Sequence, residues 1–371
     1  MAFGVYVHVP FCAARCDYCD FATWTDRAHL VQAYVDACAT DVRRRALRCE
    51  LPPASSIFFG GGTPSLLTPE QLSTILREIP RAPGAEVTAE CNPDSVDGAK
   101  LDGYADAGVN RLSFGVQSMR PHVLRALGRT HDRDNVATAV DAARRAGFER
   151  LNVDLIYGTP GESLDDWRTT LVDALALGPD HVSAYALTVE PGTQLGRMVS
   201  EGTRRRPDDD DQADKYALTD EVLEQAGLSW YEISNWSRPG QECRHNELYW
   251  HGGEYAGIGC AAHGHTDGRR WWNVRTPERY IARIDAGVEP SAGGETIDDR
   301  LRAEEELALG LRTRHGVRLD PGTEAIATSL ADLGLIGRDG DRWRLTLRGR
   351  LLASEVTVRL LPTSVTPAGT R

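Results

Sequence analysis

The chain has 371 residues, 41% hydrophobic and 26% charged, with a formal net charge of −12. That length can bury a core for one sizeable α/β domain and something smaller. The acidic balance argues against a general phosphate-backbone binder, which needs a basic surface to release counterions, so no nucleic-acid partner is expected. The runs Arg43-Arg44-Arg45 and Arg204-Arg205-Arg206 read as a solvated helix face and a loop.

No stretch reaches 18 consecutive apolar residues, so no membrane span is expected. The first residues, MAFGVYVHVPFC, lack a basic region and a small-residue cleavage site and do not read as a signal peptide. Eight cysteines without a secretion signal suggest a reducing, cytoplasmic setting, where thiols serve metals more often than disulfides. Any membrane association is expected to be peripheral and through a partner, since no amphipathic anchor stands out.

Strand-like and helix-like stretches alternate through the first half. Gly4–Val9 predicts a strand and Arg27–Leu47 a helix; Ser56–Phe59 and Pro69–Ile79 repeat the pair, as do Glu86–Glu90 and Val96–Ala107. Arg111–Gly115 precedes helices at Pro121–Leu127 and Arg133–Ala146. Leu151–Ile156 precedes Leu164–Leu177, and His181–Leu187 is the sixth strand. Six such units imply an α/β fold with a parallel sheet and right-handed crossovers. After Pro191 the pattern changes. Pro207–Asp211 reads as an acidic loop and Asp214–Ala226 as a helix, while residues 230–275, rich in Gly, His, Trp and Tyr, show little periodicity. Helices at Asp298–Leu311 and Thr323–Leu333, a strand at Arg342–Thr346 and a helix at Leu347–Val358 predict a small winged-helix-like α+β module. The expected organisation is a main domain over 1–230, an irregular segment completing it over 231–294, a small domain over 295–361 and a disordered tail over 362–371.

Cys12-x3-Cys16-x2-Cys19 follows the first strand. Iron–sulfur clusters are held by cysteine thiolates, and a fully protein-ligated [4Fe–4S] cluster needs four. Three thiolates this close can hold three irons and leave the fourth open. Zinc would need a fourth ligand, and the usual second pair further along is missing. Gly60-Gly61-Gly62-Thr63-Pro64 follows the second strand, where glycines let a ligand approach the backbone; alone, the run reads equally as a turn. Glu90, Gln117, Arg129 and Asp154 lie at or near successive strand ends, and each alone reads equally as a loop-bonding residue. Together they converge where barrel enzymes assemble their sites, which favours a rolled sheet.

CAARCDYC resembles the signature of the radical S-adenosylmethionine (SAM) superfamily, over roughly residues 5–190. In that superfamily the open iron chelates SAM, and cluster reduction cleaves SAM to a 5′-deoxyadenosyl radical. The fold implied is a partial (β/α)6 barrel. The strings FFGGGTPS, ECNPDS, GVQS, NVDLIYGTPGES, YALTVEPGT, YEISNWSRPG and HNELYW are similar to the branch containing oxygen-independent coproporphyrinogen III oxidases and the haem chaperones. That resemblance implies SAM contacts at Tyr6, Tyr18, Gly61, Gly62, Thr63, Glu90, Gln117, Arg129 and Asp154, with Cys12, Cys16 and Cys19 on the cluster. The oxidases carry a further Cys two residues after the third ligand, where this chain has Phe21, and an extension ahead of the cluster loop, where this chain has 11 residues.

Both departures point to the chaperone side, as does His245-Asn246-x-x-Tyr249-Trp250. An imidazole is a standard haem ligand, and flanking aromatics could cover a porphyrin; on the residues alone, packing of an irregular region explains these side chains better. The resemblance implies haem at His245 and delivery of haem to apo-haem proteins, membrane respiratory enzymes among them, with a homodimer compatible. The other readings are an oxidative decarboxylase of coproporphyrinogen III and a radical SAM haem methyltransferase. His263 and His265, in GCAAHGH, are a second candidate pair, though their Gly-rich surroundings read better as a turn; His8 reads as a satisfied core residue, close enough to the cluster loop to leave room for a role there. Cys38, Cys49, Cys91, Cys243 and Cys260 read as small buried hydrophobes.

Overall fold

A computed structural model describes residues 2–361, so the expected tail lies outside the described residues. It contains two compact units. The first spans residues 2–229, Ser234–Tyr249 and Gly253–Thr296, and the second holds Trp230–Ile233, Trp250–Gly252 and residues 297–361.

Six parallel strands form the heart of the first unit: β1 (Phe3–Val9), β2 (Ala54–Gly61), β3 (Arg81–Cys91), β4 (Arg111–Gln117), β5 (Arg150–Tyr157) and β6 (His181–Ala186). They pair in sequence order. Between them run α1 (Val31–Leu47), α2 (Pro69–Leu76), α3 (Gly98–Ala107), α4 (Pro121–Ala126), α5 (Arg133–Arg145) and α6 (Leu164–Ala176). Local chemistry starts several of these helices. Thr68 with Gln71, Asp132 with Asn135 and Ser163 with Asp166 each make a reciprocal capping box, which satisfies two orphan N–H donors at once.

Side chains alternate across a strand, and here the two faces differ in kind. Val5, Val7, Ile57, Phe59, Val87, Leu112, Phe114, Val153 and Val182 are buried on one face. They form the core with helix residues such as Val35, Leu72, Leu101, Val140 and Trp167, each such aliphatic contributing about 1.5–3 kcal/mol. The alternate positions carry Tyr6, Phe58, Glu90, Ser113, Asn152, Asp154, Ser183 and Tyr185, and all of these line one cleft of about 180 Å³. A flat six-stranded sheet is about 24 Å wide, too wide for its strands to share such a cleft. The sheet is therefore rolled, with a polar lumen, as the converging strand ends imply.

The sheet continues beyond β1 through Glu254–Ile258, parallel to β1, then antiparallel His263–Thr266, Arg269–Asn273 and Ser291–Thr296. Beyond β6 it adds Asn235–Ser237. In the second unit, helices Asp299–Leu311 and Glu324–Asp332, a hairpin of Ile336–Asp339 with Arg342–Leu345, and helices Leu347–Leu351 and Ala353–Leu360 enclose Leu311, Leu330, Ile336, Leu345 and Val356.

Several expectations need correction. Residues 230–275 are not irregular: short strands and the helix Arg244–Trp250 fill much of them, each too brief to show a period. The acidic run is not a loop, because Asp208 caps the helix Asp209–Gln225 and three aspartates occupy its first turn, where the helix dipole favours negative charge. The single helix expected over Leu347–Val358 is two, broken at Leu352. Arg45 is not solvated; it is buried and pairs with Asp41. Cys49 is exposed rather than buried, in a left-handed conformation just past the end of α1.

Candidate functional site

The loop after β1 carries the three cysteines, all partly exposed. It is anchored at both ends, where Cys12 N–H donates to Trp24 O (3.1 Å) and Trp24 N–H to Pro10 O (2.8 Å). The glycine run lies against it: Gly62 N–H donates to Val9 O and Thr63 N–H to Phe11 O, both at 2.8 Å. The Thr63 hydroxyl reaches Cys12 Sγ at 3.6 Å. A Cβ on Gly62 would stand 2.7 Å from Phe11 O and 3.1 Å from Cys12 Sγ, so only glycine fits there. Arg129 Nη1 lies 3.4 Å from Cys16 Sγ, and its Nη2 donates to Gly115 O and Asn92 Oδ1. Burial pushes the Cys12 and Cys19 thiols up, while Thr63 and Arg129 pull Cys12 back. Among the described residues no three His, Cys, Asp or Glu side chains converge on one point as ligands of a single ion would. A four-iron cluster takes one thiolate per iron, so its ligands stand at separate corners. Three thiols on one loop, beside a glycine cradle and a guanidinium that compensates thiolate charge, fit that requirement.

Gly61 links this loop to the lumen. Its φ is +108° and a Cβ there would collide with the His8 ring. Its N–H donates to Glu90 Oε2 at 3.1 Å. Burial, reinforced by Asp154, lifts the Glu90 carboxyl to about 8. Asp154 is also raised by burial, and partly relieved by Ser113, Ser183 and Asn152; Ser113 Oγ donates at 2.8 Å and Asn152 Nδ2 at 2.7 Å. Two buried carboxyl groups in one cleft suit a ligand that brings positive charge, as the sulfonium and ammonium of SAM do.

Tyr6, Glu90, Asp154 and His245 thus meet in one cleft. Gly61, Gly62, Thr63 and Arg129 lie at its cysteine end. Tyr18 and Gln117 do not line it. Tyr18 sits in the cysteine loop against the apolar group of Val123, Leu127 and Ile156. Gln117 ends β4 with φ +66° at a bulge beside Gly115. Sequence reading missed Phe58, Arg111, Ser113, Asn152, Ser183 and Tyr185; their shared signal is the every-second-residue spacing within each strand. His8 is satisfied as expected, with Nε2 bonded to Ala22 O (3.0 Å) and Nδ1 to the Tyr6 hydroxyl (3.2 Å).

His245 closes the strand-start end of the lumen. Its helix is tied down by Glu86, which pairs with Arg150 (2.9 Å) and accepts from His245 N–H (3.3 Å). The imidazole is 1% exposed. Its Nδ1 bonds Ser56 Oγ (3.0 Å), its Nε2 the Tyr249 hydroxyl (2.9 Å), and its ring stacks near Phe58 and Tyr6. Burial lowers its pKa to about 3, which keeps it neutral, the form that binds metals. His263 and His265 lie on a strand rather than in a turn, and His265 Nδ1–H donates to Gly253 O.

Residues 6–174 match the Radical SAM superfamily. A Mycobacterium tuberculosis (strain CDC 1551 / Oshkosh) protein named heme chaperone HemW is 44% identical over 370 residues, covering 97% of this chain and 95% of that one. The Bacillus subtilis (strain 168) protein of the same name is 35% identical over 369 residues, covering 95% and 97%. Among solved structures, Escherichia coli coproporphyrinogen III oxidase HemN superposes with a TM-score of 0.84 at 23% identity, over 97% of this chain and 90% of that one, which establishes the fold alone. Radical SAM membership implies a [4Fe–4S] cluster and SAM. The chain belongs to the HemW family of the radical SAM superfamily.

Proposed function

We propose that this protein is a haem chaperone: it carries a [4Fe–4S] cluster on Cys12, Cys16 and Cys19, takes SAM in the polar lumen, binds haem and passes it to apo-haem proteins. The observation that carries the reading is end-to-end similarity to relatives named heme chaperones. Phe21 supports it, standing 58% exposed where the oxidases have a further cysteine. The reading assigns SAM to Tyr6, Tyr18, Gly61, Gly62, Thr63, Glu90, Gln117, Arg129 and Asp154. Cluster and SAM together supply one-electron chemistry when bound. The chain's own groups orient the ligand, balance its positive charge with Glu90 and Asp154, and hold the cysteine loop against the glycine run.

His245 is the assigned interior haem ligand. Its iron-binding lone pair becomes available when one of the two hydrogen bonds, to Ser56 or Tyr249, is released. The cleft is smaller than the 300–1,000 Å³ typical of ligand pockets, so haem entry requires helix Arg244–Trp250 to shift. Recipients include membrane haem enzymes, reached by peripheral contact; among the described residues no helix is long and apolar enough to cross a membrane.

The test is anaerobic transfer. Cluster-reconstituted, hemin-loaded protein is mixed with an apo-haem protein, and holo-protein formation is followed in the Soret region. Transfer is expected, with His245→Ala holding less hemin per chain. Absence of hemin binding, or a vinyl product from coproporphyrinogen III with SAM and reductant, would move the assignment to the oxidase.

A further inference from the structure

Of the 42 basic residues in the chain, only Lys100 and Lys215 are lysines. Lys100 is half-buried and Lys215 fully buried. An ammonium is a compact charge with three donors, and each of these two is spent on the loops that follow the parallel strands.

Lys100 stands in the first turn of α3, behind the N-cap Asp97. A cation there opposes the helix dipole, so helix stability does not favour it. Its ammonium donates to Ser65 O in the loop after β2 and to Ser95 O in the loop after β3, both at 2.8 Å. Asn92 N–H, in the second of these loops, donates to Ser65 Oγ at 3.0 Å. Both loops lead on to the cysteines. Thr63, two residues before Ser65, reaches Cys12 Sγ. Asn92 Oδ1 accepts from Arg129 Nη2, and Arg129 Nη1 lies against Cys16 Sγ.

Lys215 belongs to the helix Asp209–Gln225. It donates to Glu162 O at 2.9 Å, pairs with Asp211 and lies 3.7 Å from Glu162 Oε2. Glu162 accepts from Gly158 N–H at 2.8 Å, which closes the loop after β5 on itself. Burial lifts the Glu162 carboxyl to about 7, and Lys215 draws it back. On the same helix Gln212 packs against Gly158, where a Cβ would collide with it, and donates to Leu187 O just past β6 at 2.9 Å. The helix thus grips the ends of β5 and β6 together. Ile156 and Leu187 at those ends belong to the apolar seat under Tyr18, and Leu195 of the same seat donates its N–H to Asp17 O at 2.7 Å.

We propose that Lys100 and Lys215 are positioning residues for the cluster and SAM. Lys100 holds together the loops that touch Cys12 and Cys16, and Lys215 holds the strand ends beneath Tyr18. Each acts through residues that meet the cysteine loop rather than on the thiols themselves. Groups behind metal ligands orient them, and loss of one costs about 10- to 100-fold in affinity or activity. The role rests on the cluster and SAM sites proposed above and is independent of haem.

The test uses the full chain with its cluster reconstituted anaerobically, as parent, Lys100→Met, Lys215→Met, and Lys215→Met combined with Glu162→Gln. Calorimetry reads SAM affinity, electron paramagnetic resonance reads the reduced cluster with and without SAM, and urea unfolding reads stability. Lys100→Met is expected to weaken SAM binding about tenfold and to diminish the change that SAM makes in the resonance spectrum. Lys215→Met leaves the Glu162 carboxyl without its cation and is expected to lose stability as well. The combined variant removes both charges, so its urea midpoint is expected to return toward the parent value while SAM affinity stays about tenfold weaker. Parent-like SAM affinity and spectra in Lys100→Met and in the combined variant overturn the role. So does weaker binding that the unfolded fraction alone accounts for, with the spectrum of the folded protein unchanged. A parent chain that assembles no cluster or binds no SAM would instead overturn the sites on which the role rests.

Discussion

Glu90 on β3 and Asp154 on β5 face one cleft, where burial and the neighbouring Asp154 charge hold the Glu90 carboxyl at about 8 rather than its ordinary 4.5. A folded carboxyl raised in this way retains a proton that the unfolded chain releases between those two values. Its contribution is fully present below pH 4.5 and is lost as pH rises through 8. Glu90→Gln is therefore expected to remove that decline and to be more stable than the parent at pH 8 by about 4 kcal/mol, measured by urea unfolding at pH 5, 6.5 and 8.

The same pair predicts proton release on SAM binding. A cationic ligand beside Glu90 favours its charged form, so SAM affinity is expected to rise from pH 6 to 8. Calorimetry in two buffers of different ionisation enthalpy should register about one proton released per SAM at pH 7. Glu90→Gln should bind SAM more weakly and release none.

Cysteine substitution separates ligands from bystanders. Cys12→Ser, Cys16→Ser and Cys19→Ser are each expected to abolish the electron paramagnetic resonance signal of the reduced cluster. Cys49→Ser, at an exposed helix end, should leave it unchanged.

His245 couples the lumen to acid stability. Its folded pKa of about 3 lies below its ordinary 6.5, so its contribution is present above 6.5 and fades as pH falls toward 3. His245→Gln should flatten that limb. At pH 7, His245→Ala is expected to cost about 2–4 kcal/mol, because it opens a cavity and strands two hydroxyl groups. Tyr249→Phe should cost about 1 kcal/mol.

Glu86 has a mechanical role that hydrogen exchange can read. Glu86→Ala leaves Arg150 without its partner and frees the His245 N–H, at an expected cost of about 3 kcal/mol. Exchange should speed up at residues 243–250 while α2 and α3 stay protected.

The repeating strand–helix units were legible because parallel strands buried beneath helices leave continuous apolar runs, and because Thr68, Asp132 and Ser163 mark helix starts in plain polar letters. Cys12, Cys16 and Cys19 were legible because their spacing is local. Ser113, Asn152 and Ser183 were not, since a small polar residue inside a strand carries no meaning until the rolled sheet shows which face it joins. Nor was the position of His245, fixed by a hydrogen bond to Ser56 across 189 residues of sequence. The segment 230–275 was misread because strands of three to five residues fall below any detectable period.

Most small barrels fill their centres with branched aliphatics, which ties interior chemistry to stability. Here Val5, Val7, Ile57, Phe114 and Val153 support the shell from the other face of the same strands. The inward set of Tyr6, Ser113, Asn152 and Asp154 is thereby relieved of holding the fold. Lumen substitutions that keep side-chain volume can therefore alter what the cleft accepts while the apolar wall stays intact.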